Sequence, residues 1–204
     1  QRLLFHRRSS LKLRNGLRNN KMKFWFLIIL LISFYLYFPL NRRPSKYYWR
    51  TKIDDWIPTV PGFVLPYLFF LLFIPVTIVF LWKSDLAGRY LLAMVLANSS
   101  CILFWFLFPN GVKREVLLGK DVFSRTVNWV YSKDGETNGC PSGHVVLSII
   151  SAFYLSVTFP QFRIALLSLG AIITFSTVLV KQHYFIDLLV GSGLALLIIM
   201  VVGV

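Results

Sequence analysis

Two of the three histidines, His144 and His183, stand where a polar loop meets an apolar run, and ionisable groups at such borders are functional suspects. His144 closes the stretch Cys140-Pro141-Ser142-Gly143-His144, and His183 lies in Lys181-Gln182-His183-Tyr184-Phe185-Ile186-Asp187. On a helix, His183 and Asp187 are one turn apart and can meet. Two histidines and a carboxylate gathered at one point can move protons and attack an electrophile, or can ligate zinc.

Whether they gather depends on the 39 positions between the histidines, which hold two apolar runs broken once, at Phe159-Pro160-Gln161-Phe162-Arg163. At ~1.5 Å per residue, each run is just long enough to cross roughly 30 Å of hydrocarbon. A helical hairpin that crosses and returns puts both histidines on the same membrane face, making one polar site from two distant stretches.

Composition agrees. With 204 residues, 56% of them hydrophobic and 17% aromatic, the chain is too apolar for an ordinary soluble domain and reads as an all-α, polytopic membrane protein. Its formal charge of +14 does not point to nucleic acid. The basic residues flank apolar spans, where they meet anionic headgroups and set topology, and no nucleic-acid-binding motif accompanies them. Membrane lipids are the expected neighbours. Cys101 sits inside an apolar run and Cys140 in a loop, so no disulfide between them is expected.

Residues 1–23 carry eight Lys or Arg and no acid, as expected of a cytoplasmic tail against anionic lipid, and residues 24–204 form one domain. Six crossings are predicted, at about Phe24–Leu40, Gly62–Trp82, Tyr90–Phe108, His144–Phe159, Phe162–Val180 and Tyr184–Val204, the first an uncleaved signal anchor. Asn98-Ser99-Ser100 matches a glycosylation sequon but falls within a span and reads as helix-packing polarity. Tyr47, Tyr48, Trp49 and Trp56 fit an interfacial belt, and Asp54-Asp55 could bind a cation or hold the loop to a basic neighbour but reads first as solvated loop charge. In the long loop from Pro109 to Pro141, Phe123, Val127 and Val130 recur at helical spacing, predicting an interfacial helix over the site. With a basic N-terminus inside, both termini are cytoplasmic and Arg114, His144 and His183 emerge at the opposite face. The flanking loops count 11 Lys or Arg on each side, so the N-terminal tail alone sets this orientation.

These residues resemble the type 2 phosphatidic acid phosphatase superfamily, membrane-embedded lipid phosphatases and their lipid phosphotransferase relatives. That family's second motif is complete as Pro141-Ser142-Gly143-His144; its third is partial, as Ser176-Thr177, five residues, His183, three residues, Asp187. The resemblance spans roughly residues 109–204. It implies that His183 attacks phosphorus to form a phosphohistidine, that Asp187 fixes its tautomer, and that His144 protonates the departing alkoxide. Ser142 and the amides around Gly143 would receive phosphate at a helix start, and Arg114 would clamp its non-bridging oxygens. The implied substrate is a lipid phosphate or diphosphate, and no cofactor is implied.

The departures concern charge. Leu107 stands where the first motif has Lys, Glu115 where it has Pro, and Thr177 where the third has Arg. Lys181, four residues after Thr177 and on its helix face, is expected to restore one phosphate-binding charge, and Lys113 another. Phosphatase and phosphotransferase outcomes both remain open. So do two other classes: a zinc hydrolase using His144, His183 and Asp187, which leaves Pro-Ser-Gly without a role, and a non-catalytic protein with a decayed site.

Overall fold

Each apolar run is helical in the computed structural model, which describes Leu17 and residues 19–204. The basic tail expected over residues 1–23 lies mostly outside the described residues. Helices α1 (Asn20–Asn41), α2 (Lys52–Trp56), α3 (Val64–Leu81), α4 (Ala87–Leu107), α5 (Val122–Lys133), α6 (Gly143–Thr158), α7 (Arg163–Leu179) and α8 (Phe185–Val202) follow in order. Among the described residues the only extended pairing is two isolated bridges, Tyr47 with Asn110 and Gly111 with Thr137. Gly111 is needed there, because a β-carbon would collide with the Glu136 carbonyl.

Among the described residues five helices, α1, α3, α4, α7 and α8, are long and apolar enough to cross a membrane, and the chain is an integral membrane protein. The run expected to cross fourth is a helix of only 16 residues, about 24 Å at 1.5 Å each. This helix, α6, is central: α3, α4, α7 and α8 all pack around it, and Val145, Val146, Leu147, Ile150 and Tyr154 are buried. Its middle is thereby enclosed by protein, whereas the turn after its C-terminal end, residues 160–163, is exposed.

Small and polar side chains set the close contacts between spans. Gly170 on α7 lies against Ala152 on α6 so closely that a β-carbon would not fit. Asn98 of α4, buried, donates to the Ser33 hydroxyl of α1 at 2.8 Å, so the sequon polarity is spent on helix packing. Both cysteines are free. Pro160–Phe162 forms a 3-10 turn that makes α6 and α7 the expected hairpin.

The loop after α1 departs from expectation. Asp55 is exposed and pairs with Arg50 at 2.6 Å, but Asp54 is 7% exposed. One Asp54 carboxylate oxygen accepts the Phe185 amide at the start of α8 (2.6 Å), and the other accepts the Thr51 amide and hydroxyl. An acid at a helix N-terminus satisfies donors that the helix cannot. Thus a residue 131 positions upstream fastens the turn that carries His183. Asp54→Ala is expected to destabilise the fold by about 2 kcal/mol and Asp55→Ala by less than about 0.5 kcal/mol, read from unfolding transitions in detergent micelles.

Candidate active site

The two histidine stretches meet. The α7–α8 turn is tight: Val180 follows the last residue of α7, Lys181 takes φ 54°, and the Thr177 carbonyl accepts the amides of both Gln182 and His183. His183 therefore sits just ahead of α8. Asp187 lies in the first turn of α8, its Oδ2 accepting the Tyr184 amide at 2.9 Å and standing 3.5 Å from His183 Nδ1. The backbone carbonyl of Asp187 accepts the Ser142 amide at 3.3 Å, which brings the Pro-Ser-Gly-His segment onto the same turn.

Ser142 caps α6: its hydroxyl is buried and accepts the Val145 amide at 3.4 Å. Gly143 and His144 begin the helix, where amides have no intrahelical carbonyl to bond. A β-carbon at 143 would press on the Trp105 ring at 3.3 Å. The His144 ring is stacked on Tyr67 (4.5 Å between centroids) and lies 4.2 Å from Phe70, both on α3, and is 6.1 Å from the His183 ring. Asn110 holds the preceding segment, its side chain accepting the Cys140 amide and donating to the Cys140 carbonyl at 2.8 Å. Burial and the neighbouring Asp187 carboxylate push the Cys140 thiol up to about 12, so it stays protonated at neutral pH.

His144 and His183 line one cavity of about 370 Å³. Its walls are mostly aromatic: Phe34, Tyr37 and Phe38 of α1, Tyr67 and Phe70 of α3, Trp105 of α4. Its rim is polar, with Gln182 from the α7–α8 turn, Lys133 from the end of α5, and Asp134 and Asn138 just after it. Helix α5 forms where a helix over the site was expected, with Trp129, Val130 and Lys133 lining the cavity. Val127 and Val130 are buried as predicted, whereas Phe123 is 39% exposed and Tyr131 takes the inward place. Such a cavity fits an amphiphile, polar end at the histidines and apolar body along the spans.

The expected phosphate ligands divide. Arg114 does not line the cavity but bonds to two residues that do: Nη1 donates to Gln182 Oε1 (2.7 Å), Nη2 to the Asp134 carbonyl (2.8 Å), and the guanidinium lies 4.9 Å over the Tyr131 ring. Its Nε is buried without a partner. Burial, opposed by that cation, pushes the Tyr131 hydroxyl up to about 12. Lys181 does not share a helix face with Thr177 as expected, because α7 ends at Leu179. Its ammonium donates to the carbonyls of Asp54 and Ile57, tying the loop after α1 to the turn. Lys113 is exposed, its ammonium 5.1 Å over the Tyr48 ring. Neither lysine lines the cavity.

Of two further rim residues, Lys133 escaped the sequence reading, and Gln182 could be read there only as ordering the site or sitting in the interface. Lys133 lines the cavity, and its ammonium has no hydrogen-bond or ion-pair partner among the described residues. Its signal was its place three residues after Val130, on the inward stripe of α5. Gln182, beside His183, gave no signal beyond adjacency. No cluster of His, Cys, Asp or Glu suited to a metal ion occurs among the described residues.

The family model of the PAP2 superfamily matches residues 120–203, which is the superfamily whose motifs the sequence resembles. The matched region runs from the start of α5 through α8 and contains both histidines. No curated protein matches the chain. Asn110→Ala, which leaves the Cys140 amide and carbonyl buried and unpaired, is expected to cost about 1–3 kcal/mol in a detergent unfolding measurement.

Proposed function

We propose that the protein is a membrane-embedded, metal-independent phosphatase of lipid phosphates or diphosphates, working through a phosphohistidine at His183. The observation that carries this reading is the pair of histidine rings, 6.1 Å apart, in one cavity with a polar rim and an aromatic body. The match to the PAP2 superfamily, whose members are phosphatases and related phosphotransferases, supports it.

His183 Nδ1 faces Asp187, so Nε2 is the nitrogen available for attack. Its lone pair forms the N–P bond as the P–O bond to the lipid breaks, and His144 gives a proton to the departing oxygen. In the second step His144 takes a proton from water, the hydroxide attacks phosphorus, and the N–P bond breaks to release phosphate. Interception by a second lipid's hydroxyl instead of water gives the phosphotransferase outcome. Asp187 holds the imidazole and stabilises its positive charge in the transition state. The Gly143 amide at the start of α6, with Ser142 fixing that start, would receive non-bridging oxygens, as would Arg114 through Nε. Lys133 brings charge to the rim, and Lys113 and Lys181 hold the outer loops.

In this reading the chain crosses six times, α6 included, with both termini cytoplasmic and the cavity rim at the extracytoplasmic face. The basic N-terminal stretch and the outer aromatic loop favour that orientation.

The test is phosphate release from a panel of lipid phosphates and diphosphates by purified protein with excess EDTA. His183→Ala is expected to abolish release and His144→Ala to lower kcat by about 10²–10⁴-fold, as for loss of a general acid. Activity that survives His183→Ala, or that chelator removes, would sink the phosphohistidine reading. Lys133→Ala is expected to raise KM by about 10-fold with little change in kcat, the mark of a residue that recruits the phosphate rather than reacting with it.

A further inference from the structure

Gln182 is 6% exposed, and its two amide ends have different company. A guanidinium has only donors, so the amide atom 2.7 Å from Arg114 Nη1 is the oxygen. That contact fixes the flip, and the NH₂ group points the other way. Nε2 is buried and without a hydrogen-bond partner, in a residue that lines the cavity beside His183.

A buried donor without an acceptor costs about 1–3 kcal/mol, and native structures seldom tolerate one without a use. Arg114, bonded to the same amide through Nη1, has an Nε that is buried and unpaired as well, so two donors without acceptors belong to one contact. The missing partner is therefore an acceptor, and an anion with several oxygens satisfies more than one donor at once. The Arg114 cation on Oε1 also draws electron density from the amide and strengthens its N–H groups as donors.

We infer that Gln182 is a phosphate-binding residue, its Nε2 donating to a non-bridging oxygen of the phosphoryl group presented to His183. This rests on the proposed chemistry at His183 for the name of the anion, though not for the existence of the anion site. It also accounts for a departure in the motif. Thr177, where an arginine is expected, is fully buried and turns its hydroxyl back to the Thr174 carbonyl. Gln182 returns a donor to the site without a second buried cation, and Arg114 behind it supplies the charge through the amide.

Two substitutions at this position separate binding from buttressing. Gln182→Glu keeps an acceptor for Arg114 and nearly the same shape, but puts a carboxylate oxygen where the donor was; Gln182→Met removes both ends. Binding of inorganic phosphate and orthovanadate to the full chain is read by thermal shift in detergent micelles, which needs no turnover. Phosphate release from lipid phosphates is read beside it. The expected result is that both anions stabilise the wild type, that Gln182→Glu weakens their binding at least 30-fold and lowers kcat/KM by about 100-fold, and that Gln182→Met loses about 10-fold in each. The unliganded melting temperature of Gln182→Glu should match the wild type. If Gln182→Glu binds vanadate as the wild type does, Gln182 is only a rest for Arg114 and the inference falls. A wild type that neither anion stabilises overturns it too. If the anions bind in a Gln182-dependent way but no lipid phosphate is hydrolysed, the phosphate site stands and the proposed phosphatase reaction fails.

Discussion

The Asp187 carboxylate is the constraint on which the site depends. As the third residue of α8 it satisfies the Tyr184 amide, which has no carbonyl to bond, and so fixes where the helix begins. The same Oδ2 stands 3.5 Å from His183 Nδ1, so the position of the histidine follows from the start of the helix. The Asp187 carbonyl takes the Ser142 amide, which sets the start of α6 and with it His144. One residue thus registers two helix N-termini against each other. The distance between the two imidazoles is a consequence of that registration.

Further contacts hold this turn from outside. Asp54 caps α8 through the Phe185 amide, and Lys181 spans two carbonyls of the loop that contains Asp54. The Val60 amide donates to the Leu179 carbonyl on the same side. A five-residue linker between antiparallel helices would otherwise be free to fray, and these contacts fix the direction of the His183 ring. The loop after α1 therefore belongs to the site mechanically, although it contributes nothing to the cavity's chemistry.

What was legible in the sequence was whatever depends on local order. The hairpin break at Pro160, the meeting of His183 with Asp187, the cap residue Ser142 and helix α5 all follow from spacing within a few residues. What was illegible came from long-range pairing or from where a helix stops. Asp54 looks like loop charge because its partner is 131 positions away. Lys181 looks like a helical neighbour of Thr177 because no glycine, asparagine or proline marks the end of α7, and the chain instead puts a lysine at positive φ. The six apolar runs all form helices close to their expected bounds; five are long and apolar enough to cross a membrane, and the fourth run is the 16-residue helix α6, packed among its neighbours.

The shortage of motif cations takes a different meaning once the cavity is seen. A lysine or arginine buried at positions 107 or 177 must be desolvated whenever substrate is absent, and an unpaired buried cation costs several kcal/mol. In this chain Leu107 is 57% exposed on the outside of α4 and Thr177 is closed on its own helix. The charge near the turn is instead neutralised in place: Arg114 is spread over an amide oxygen, a backbone carbonyl and an aromatic face. Apart from the Lys133 ammonium at the rim, the donors that line the cavity near the turn are neutral, namely the Gln182 amide and the backbone of Gly143 and His144 at the start of α6. Such donors are cheap to keep buried and become strong only when an anion arrives in a medium of low dielectric.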